Sequence, residues 1–404
     1  MRVSLIVCLL AMSLSTFAAV DQAGDWPHFR GPTSDGFAAK TVINKDWNAK
    51  KPQELWRVSM GDKGSAGPAV AGGMVFIVDH ADRQDIVRAL KLADGTEVWR
   101  YAYDDAEKAN FGFHRATPTV DEGRVYTFSR LGRIVCLDAT SGKKIWDLDA
   151  MGQFKGKKPT WDYSSSVLVD GNKAVICPGG DNANMVALDK KTGKVLWQGG
   201  GSDGPTYATP VPMVLGGTRL YVAATAKGFT GVDANTGKLC WFFSWDTKHG
   251  INAASPLLTN AGIFITSGYG KGCAMIHATA TSAKEAWINK VMQSHMTTPV
   301  YLDGCIYGTT DPDSTVCIEA KTGAEKWRQK GWSKGGLVAV DGCIIVQDDK
   351  SGEIGLIALS PNGYKEMGRI KPFDGMKDCW AAPIVAGGRL LARNQNELVC
   401  LDIR

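Results

Sequence analysis

An eleven-residue pattern, Ala187-Leu-Asp-Lys-Lys-Thr-Gly-Lys-Val-Leu-Trp197, recurs along the chain and restricts it to very few architectures. Close copies run from Ala89 to Trp99, Cys136 to Trp146, Gly231 to Trp241 and Cys317 to Trp327. His277 to Trp287 is a worn copy, and Ala358 to Met367 is a weak one in which Met367 stands where the tryptophan would be. Each copy reads as a strand, a tight turn and a second strand carrying the tryptophan. Gly95, Gly142, Gly193, Gly237 and Gly323 supply the positive φ that such a turn needs.

A second motif lies between the copies: an opening proline or serine, an apolar strand, a glycine-containing turn and another strand. Thr117-Pro118-Thr-Val-Asp-Glu-Gly-Arg-Val-Tyr126 and the stretch from Thr298 and Pro299 to Tyr307 show it best. Related openings fall at Pro68, Ser166, Pro210, Pro256, Leu337 and Pro383, which makes eight in all. Tryptophans spaced 40 to 51 residues apart suit one four-stranded blade per repeat. A strand around Trp56 precedes the first opening, whereas the last repeat stops after its third strand at Leu398 to Asp402. The expected fold is therefore all-β: an eight-bladed β-propeller of four-stranded antiparallel blades, closed by an N-terminal strand that completes the last blade. Closure removes free sheet edges and makes residues 51–404 one domain.

Through the pattern Ala-x-Asp-x-x-Thr-Gly-x-x-x-Trp, roughly residues 50–404 resemble the PQQ-type repeat family, which includes BamB-like propellers and quinoprotein alcohol dehydrogenases. The resemblance implies that Trp99, Trp146, Trp197, Trp241, Trp287 and Trp327 dock one blade on the next. Cys136, Cys317 and Cys400 align with Ala89, Ala187 and Ala358, so the position calls for a small apolar side chain. Cys305 and Cys317 belong to one hairpin and could bridge in an oxidising compartment.

The amino terminus has the layout of a cleavable secretory signal over residues 1–19: Arg2, an apolar run from Leu5 to Leu14, then small residues at Thr16 and Ala18. The run is shorter than the roughly 20 residues that span a bilayer. Cys8 lacks the small residues of a lipoprotein cleavage box, so the expected product is periplasmic or secreted and not lipid-anchored. Loss of Arg2, the only charge in that segment, takes the formal net charge from +5 to +4, with no basic run to suggest nucleic acid. The arm 20–50 contains Asp25-Trp-Pro-His-Phe-Arg-Gly-Pro-Thr-Ser-Asp-Gly36, whose prolines and glycines forbid a helix and whose aromatics must pack on the propeller. It resembles the opening of exported PQQ-repeat proteins of planctomycete and verrucomicrobial type.

Residues just before each innermost strand line one mouth of a propeller channel. Here they are His114 and Arg115; Trp161, Asp162 and Tyr163; Tyr207; His249 and Asn252; Gln293 and His295; Trp332 and Lys334; Asp378 and Trp380. These large polar and aromatic residues differ from blade to blade, which suits a ligand. His114, His249 and His295 come from blades two, five and six and are not expected to share a metal.

The quinoprotein resemblance implies PQQ and calcium. Asp162 or Asp378 would then be the base, Arg115 or Lys334 the cation, Asn252 a calcium ligand and Trp161 or Trp380 the stacking surface. The chain lacks a His-Glu-x-x-His and a phosphate loop. The reading favoured by this sequence is a monomeric, non-enzymatic platform for an envelope protein or an exposed β-strand, with a glycan or small ligand in the funnel as the other binding alternative.

Overall fold

A computed structural model describes residues 24–375 and 380–404. Eight four-stranded antiparallel sheets form a propeller. The innermost strands are Ala69–Ala71, Thr119–Asp121, Leu168–Asp170, Val211–Leu215, Leu257–Thr259, Val300–Leu302, Leu337–Val340 and Ile384–Ala386, which define blades one to eight. In blade eight the outer strand is Gln53–Ser59, paired with Glu397–Asp402 from Gln53 opposite Asp402 to Ser59 opposite Glu397. Among the described residues no helix is long and apolar enough to cross a membrane.

The repeat is explained by what the tryptophans touch. In blades one to four and six, the third strand places a small residue opposite the tryptophan of the outer strand: Ala89, Cys136, Ala187, Gly231 and Cys317. A bulge follows at once and bends the outer strand. From blades one to three the indole then reaches the next blade, where its Nε1 donates to a main-chain carbonyl: Trp99 to Ala139 at 2.9 Å, Trp146 to Lys190 at 3.1 Å, Trp197 to Ala234 at 3.2 Å. Its ring covers the next blade's turn glycine, so that glycine is required twice, for its φ and for its missing Cβ. At Gly142 (φ +68°) a Cβ would lie 2.5 Å from the Trp99 ring, whereas at Gly123 (φ +72°) nothing lies within 4 Å. Gly142→Ala is therefore expected to cost about 2 kcal/mol more than Gly123→Ala, since only the first adds overpacking to left-handed strain. Urea unfolding of the two variants measures the difference.

The aspartate and threonine of the repeat build the turn itself. The Asp189 carboxylate accepts from the backbone N–H groups of Lys191 and Thr192 and from the Thr192 hydroxyl, at 2.8 to 3.1 Å. The Thr192 hydrogen bond, together with these amides, holds its pKa below the usual carboxylate range. At the channel, threonines beside the opening positions join neighbouring blades: the Thr119 hydroxyl donates to Val167 O at 2.6 Å, and Thr298 Oγ1 accepts from Ser255 N at 2.8 Å. Innermost strands thereby satisfy main-chain groups that their inner edge leaves free.

Three local expectations need correction. In blade seven, Leu356 faces Gly368 across the bulge, so Gly368 occupies the tryptophan position and Met367 does not. The indole there comes from the arm: Trp47 is fully buried, its backbone N–H donates to Met367 O at 3.1 Å, and a Cβ on Gly368 would fall 2.5 Å from Trp47 Cβ. In blade five, Met275 and not His277 faces Trp287, because this hairpin is longer and turns through Thr279 and Ser282 without the glycine. The irregular turn leaves the incoming Trp241 Nε1 buried without an acceptor. In blade six, Tyr307 is opposite Cys317 and Glu319 is opposite Cys305, so the two cysteines are offset by two residues and both thiols are free. Burial and the adjacent Cys305 thiol push Cys317 up to about 12.

The arm crosses the inner edges of the ring. Trp26 exchanges two hydrogen bonds with Val70 in blade one, at 2.8 and 2.9 Å, and Val120 N in blade two donates to Pro27 O at 2.7 Å. Arg30 donates to Thr298 O and Pro299 O of blade six, both at 2.9 Å, and Gly36 and Ala38 bracket Ala339 of blade seven at 2.9 and 2.8 Å. The signal expected over residues 1–19 lies outside the described residues.

Candidate functional site

Because the arm pairs with the inner strands, the channel is a cup. Its cavity of about 340 Å³ has Trp26, Phe29, Arg30 and Gly36 of the arm in its lining, and blade residues supply the rest. Of the funnel residues expected from the sequence, Arg115, Trp161, Tyr207, His295, Lys334 and Trp380 line it. Trp161 packs on Tyr207, with centroids 6.4 Å apart, and meets the edge of His249 at 5.7 Å.

Other expected residues face elsewhere. His114 is buried between blades one and two, with Nδ1 3.0 Å from Oδ2 of the fully buried Asp85, which also accepts from Tyr103 Oη at 3.2 Å. Asp162 is held by Arg130 at 2.9 Å and Lys158 at 3.0 Å. Asn252 is fully buried: its Nδ2 donates to Thr225 O at 2.9 Å and its Oδ1 accepts from Ser267 Oγ at 2.8 Å. Tyr163 donates to Pro178 O at 2.7 Å, and Trp332 donates to Tyr364 Oη at 2.9 Å. Gln293 NH groups bond locally, the backbone N–H to Thr310 Oγ1 at 2.8 Å. Asp378 lies outside the described residues.

Two rings that matter were missed. Phe111 and Tyr269 are 53% and 46% exposed at the cavity, with Phe111 6.1 Å from Trp380 and Tyr269 4.3 Å from His295. Tyr269 sits in the turn between the second and third strands of blade five, a turn that opens on the same mouth. Its position amid Gly268, Gly270 and Gly272 was the available signal.

Behind the funnel wall lies an ion-pair hub. Arg130 grips Asp105 with two hydrogen bonds, at 2.5 and 2.7 Å, and passes its third nitrogen to Asp162. Burial, reinforced by the charge of Asp85, keeps the Asp105 carboxyl above its usual range despite that guanidinium. Ligand atoms of His80, Asp85 and Asp105 lie within 4.8 Å of one another. They are engaged by protein groups: His80 Nδ1 is 2.8 Å from Asp62 Oδ2, Nε2 is 3.0 Å from Asp105 O, and Arg130 covers both Asp105 oxygens.

A quinone dehydrogenase needs an oxygen-rich calcium cage and an available carboxylate base beside the stacking surface. The described residues do not fit that demand, because Asp162 is spent on two cations, Asn252 is bonded away from the cavity, and no described lining residue is a carboxylate.

The sequence matches the profile of the family described as outer membrane protein assembly factor BamB over residues 40–109 and 83–329. It is 33% identical over 137 residues to quinohemoprotein alcohol dehydrogenase ADH IIB of Pseudomonas putida, a match covering 32% of this chain but only 20% of that enzyme. To outer membrane protein assembly factor BamB of Moranella endobia (strain PCIT) it is 24% identical over 314 residues, covering 70% of this chain and 73% of the relative. The crystal structure of BamB from Moraxella catarrhalis shares the fold, with a TM-score of 0.63 at 16% identity over 87% of this chain and 99% of that one.

Proposed function

The chain belongs to the family described as outer membrane protein assembly factor BamB, and from that premise we propose that it is an exported, non-enzymatic platform that binds another envelope protein at the funnel mouth. The observation that carries this reading is the composition of the cup: aromatic and cationic side chains dominate the cavity, while the funnel residues Asp162, His114 and Asn252 are tied up behind the wall. Such a surface recognises and does not transform. Exposed Phe111 and Tyr269 extend it beyond the cavity, as an anchor-rich interface requires.

The test is a photo-crosslinking residue in place of Phe111 or Tyr269, with exposed Ile145 on an outer strand as the control position. Discrete adducts with envelope protein from the rim positions and none from position 145 are expected. Calorimetric titration with PQQ in calcium-containing buffer is expected to give no heat, and a dye-linked alcohol oxidation assay no turnover. Rim positions that cross-link no more than position 145, or quinone-dependent turnover, would overturn the reading.

A further inference from the structure

Arg30, Arg115 and Lys334 all line the cup, and none has a carboxylate partner among the described residues. Arg30 is buried and spends its guanidinium on main-chain carbonyls: Ser34 O at 3.3 Å, Asp35 O at 2.5 Å, and Thr298 O and Pro299 O at 2.9 Å each. Burial lowers its pKa to about 10, with only the charge of Asp35 opposing. Arg115 likewise donates to the carbonyls of Trp161, Asn110 and Gly112, and its Nε is buried without an acceptor. Among the described residues Lys334 Nζ makes no hydrogen bond or ion pair; the carboxylate whose charge reaches it, Asp311, sits 3.2 Å from His295 Nδ1. Carbonyl dipoles orient a cation without neutralising it, and a desolvated charge lacking a counter-ion costs several kcal/mol. An anion entering the cup therefore meets three cations ready to receive it.

The rest of the lining defines what carries the anion. Trp161, Tyr207 and Trp380 supply ring faces inside the cavity, and Phe111 and Tyr269 continue the aromatic surface out through the mouth. About 340 Å³ holds a few side chains, while the rim rings offer contact to whatever continues outward. Building on the platform reading above, we infer that the cup receives an acidic segment of the partner protein, its carboxylates facing Lys334, Arg115 and Arg30 and its aromatic or aliphatic side chains packed on Trp161, Tyr207 and Trp380. Like charge in a competing basic segment would be rejected by the same three cations.

The experiment titrates the purified protein with a capped octapeptide alternating glutamate and phenylalanine, its lysine and phenylalanine counterpart, and benzoate, following tryptophan fluorescence and heat. The acidic peptide is expected to bind at least about tenfold more tightly than the basic one and than benzoate. Lys334→Glu, at a side chain with no partner among the described residues, is expected to weaken the acidic peptide about tenfold, while Lys284→Glu on an exposed outer strand makes the same charge change without effect. Equal binding of the two peptides, benzoate binding as tightly as the acidic peptide, or indifference to Lys334→Glu each overturns the inference. Rim cross-links that an excess of acidic peptide does not suppress would also overturn it and leave the platform reading standing. Charge-selective binding without rim cross-links would instead sink the platform reading alone.

Discussion

Replacing Trp47 by alanine is expected to lower the stability of the whole propeller by about 4 kcal/mol, the range for emptying a fully buried indole site. Trp47 lies in the core cluster that joins blades seven, eight and one, against the bare Cα of Gly368. Loss of the ring leaves a void that Gly368, with φ +137°, cannot fill. Substituting Gly368 by alanine attacks the same contact from the other side, and the double variant should cost less than the two single losses added together, since both break one interaction. Denaturant unfolding followed by tryptophan fluorescence reads all three. Additive losses, or a Trp47→Ala effect below about 1 kcal/mol, would show that the arm merely rests on the ring.

The second large effect belongs to Arg130. Its replacement by methionine keeps much of the side-chain volume but leaves Asp105 without its guanidinium and takes one cation from Asp162, which retains Lys158. A buried carboxylate stripped of its partner destabilises by about 4 kcal/mol. The pH dependence separates charge from packing. Asp105 already has a folded-state pKa above the ordinary carboxylate value, and removing Arg130 raises it further. An acid whose folded pKa lies above its unfolded one loses stability as pH rises between the two, so the deficit of the variant grows as pH rises through that range and shrinks toward pH 4. A second change, Asp105→Asn, should restore part of the loss at pH 7. A deficit that is the same at both pH values would assign the effect to packing.

Blade number and closure were legible because Asp-x-x-Thr-Gly and the distant tryptophan are both tied to main-chain geometry: the aspartate and threonine cap the turn, and the glycine admits the neighbouring ring. Where those residues fade, register is lost. Nothing in Ala358 to Met367 announces that the facing pair is Leu356 and Gly368, because the compensating Trp47 is remote in sequence. The funnel was legible by position but not by direction. His114, Asp162 and Asn252 stand at the mouth in chain order, yet burial beside Asp85, Arg130 and Ser267 turns them into the seams between blades. Spacing from an opening proline says which loop a residue joins; the nearest buried charge or hydroxyl decides where its side chain goes. Arg30 was hidden for another reason, since an arm outside the repeat offers no sister positions for comparison.

The pairing of Gln53–Ser59 with Glu397–Asp402 also governs time. These strands are separated by nearly the whole chain, so the contact that seals the ring has the greatest loop-closure cost of any strand pairing in the fold. During synthesis the strand made first waits longest for its partner, and blades one to seven can form as local hairpins while blade eight cannot. The complete propeller is thus the last thing this chain acquires.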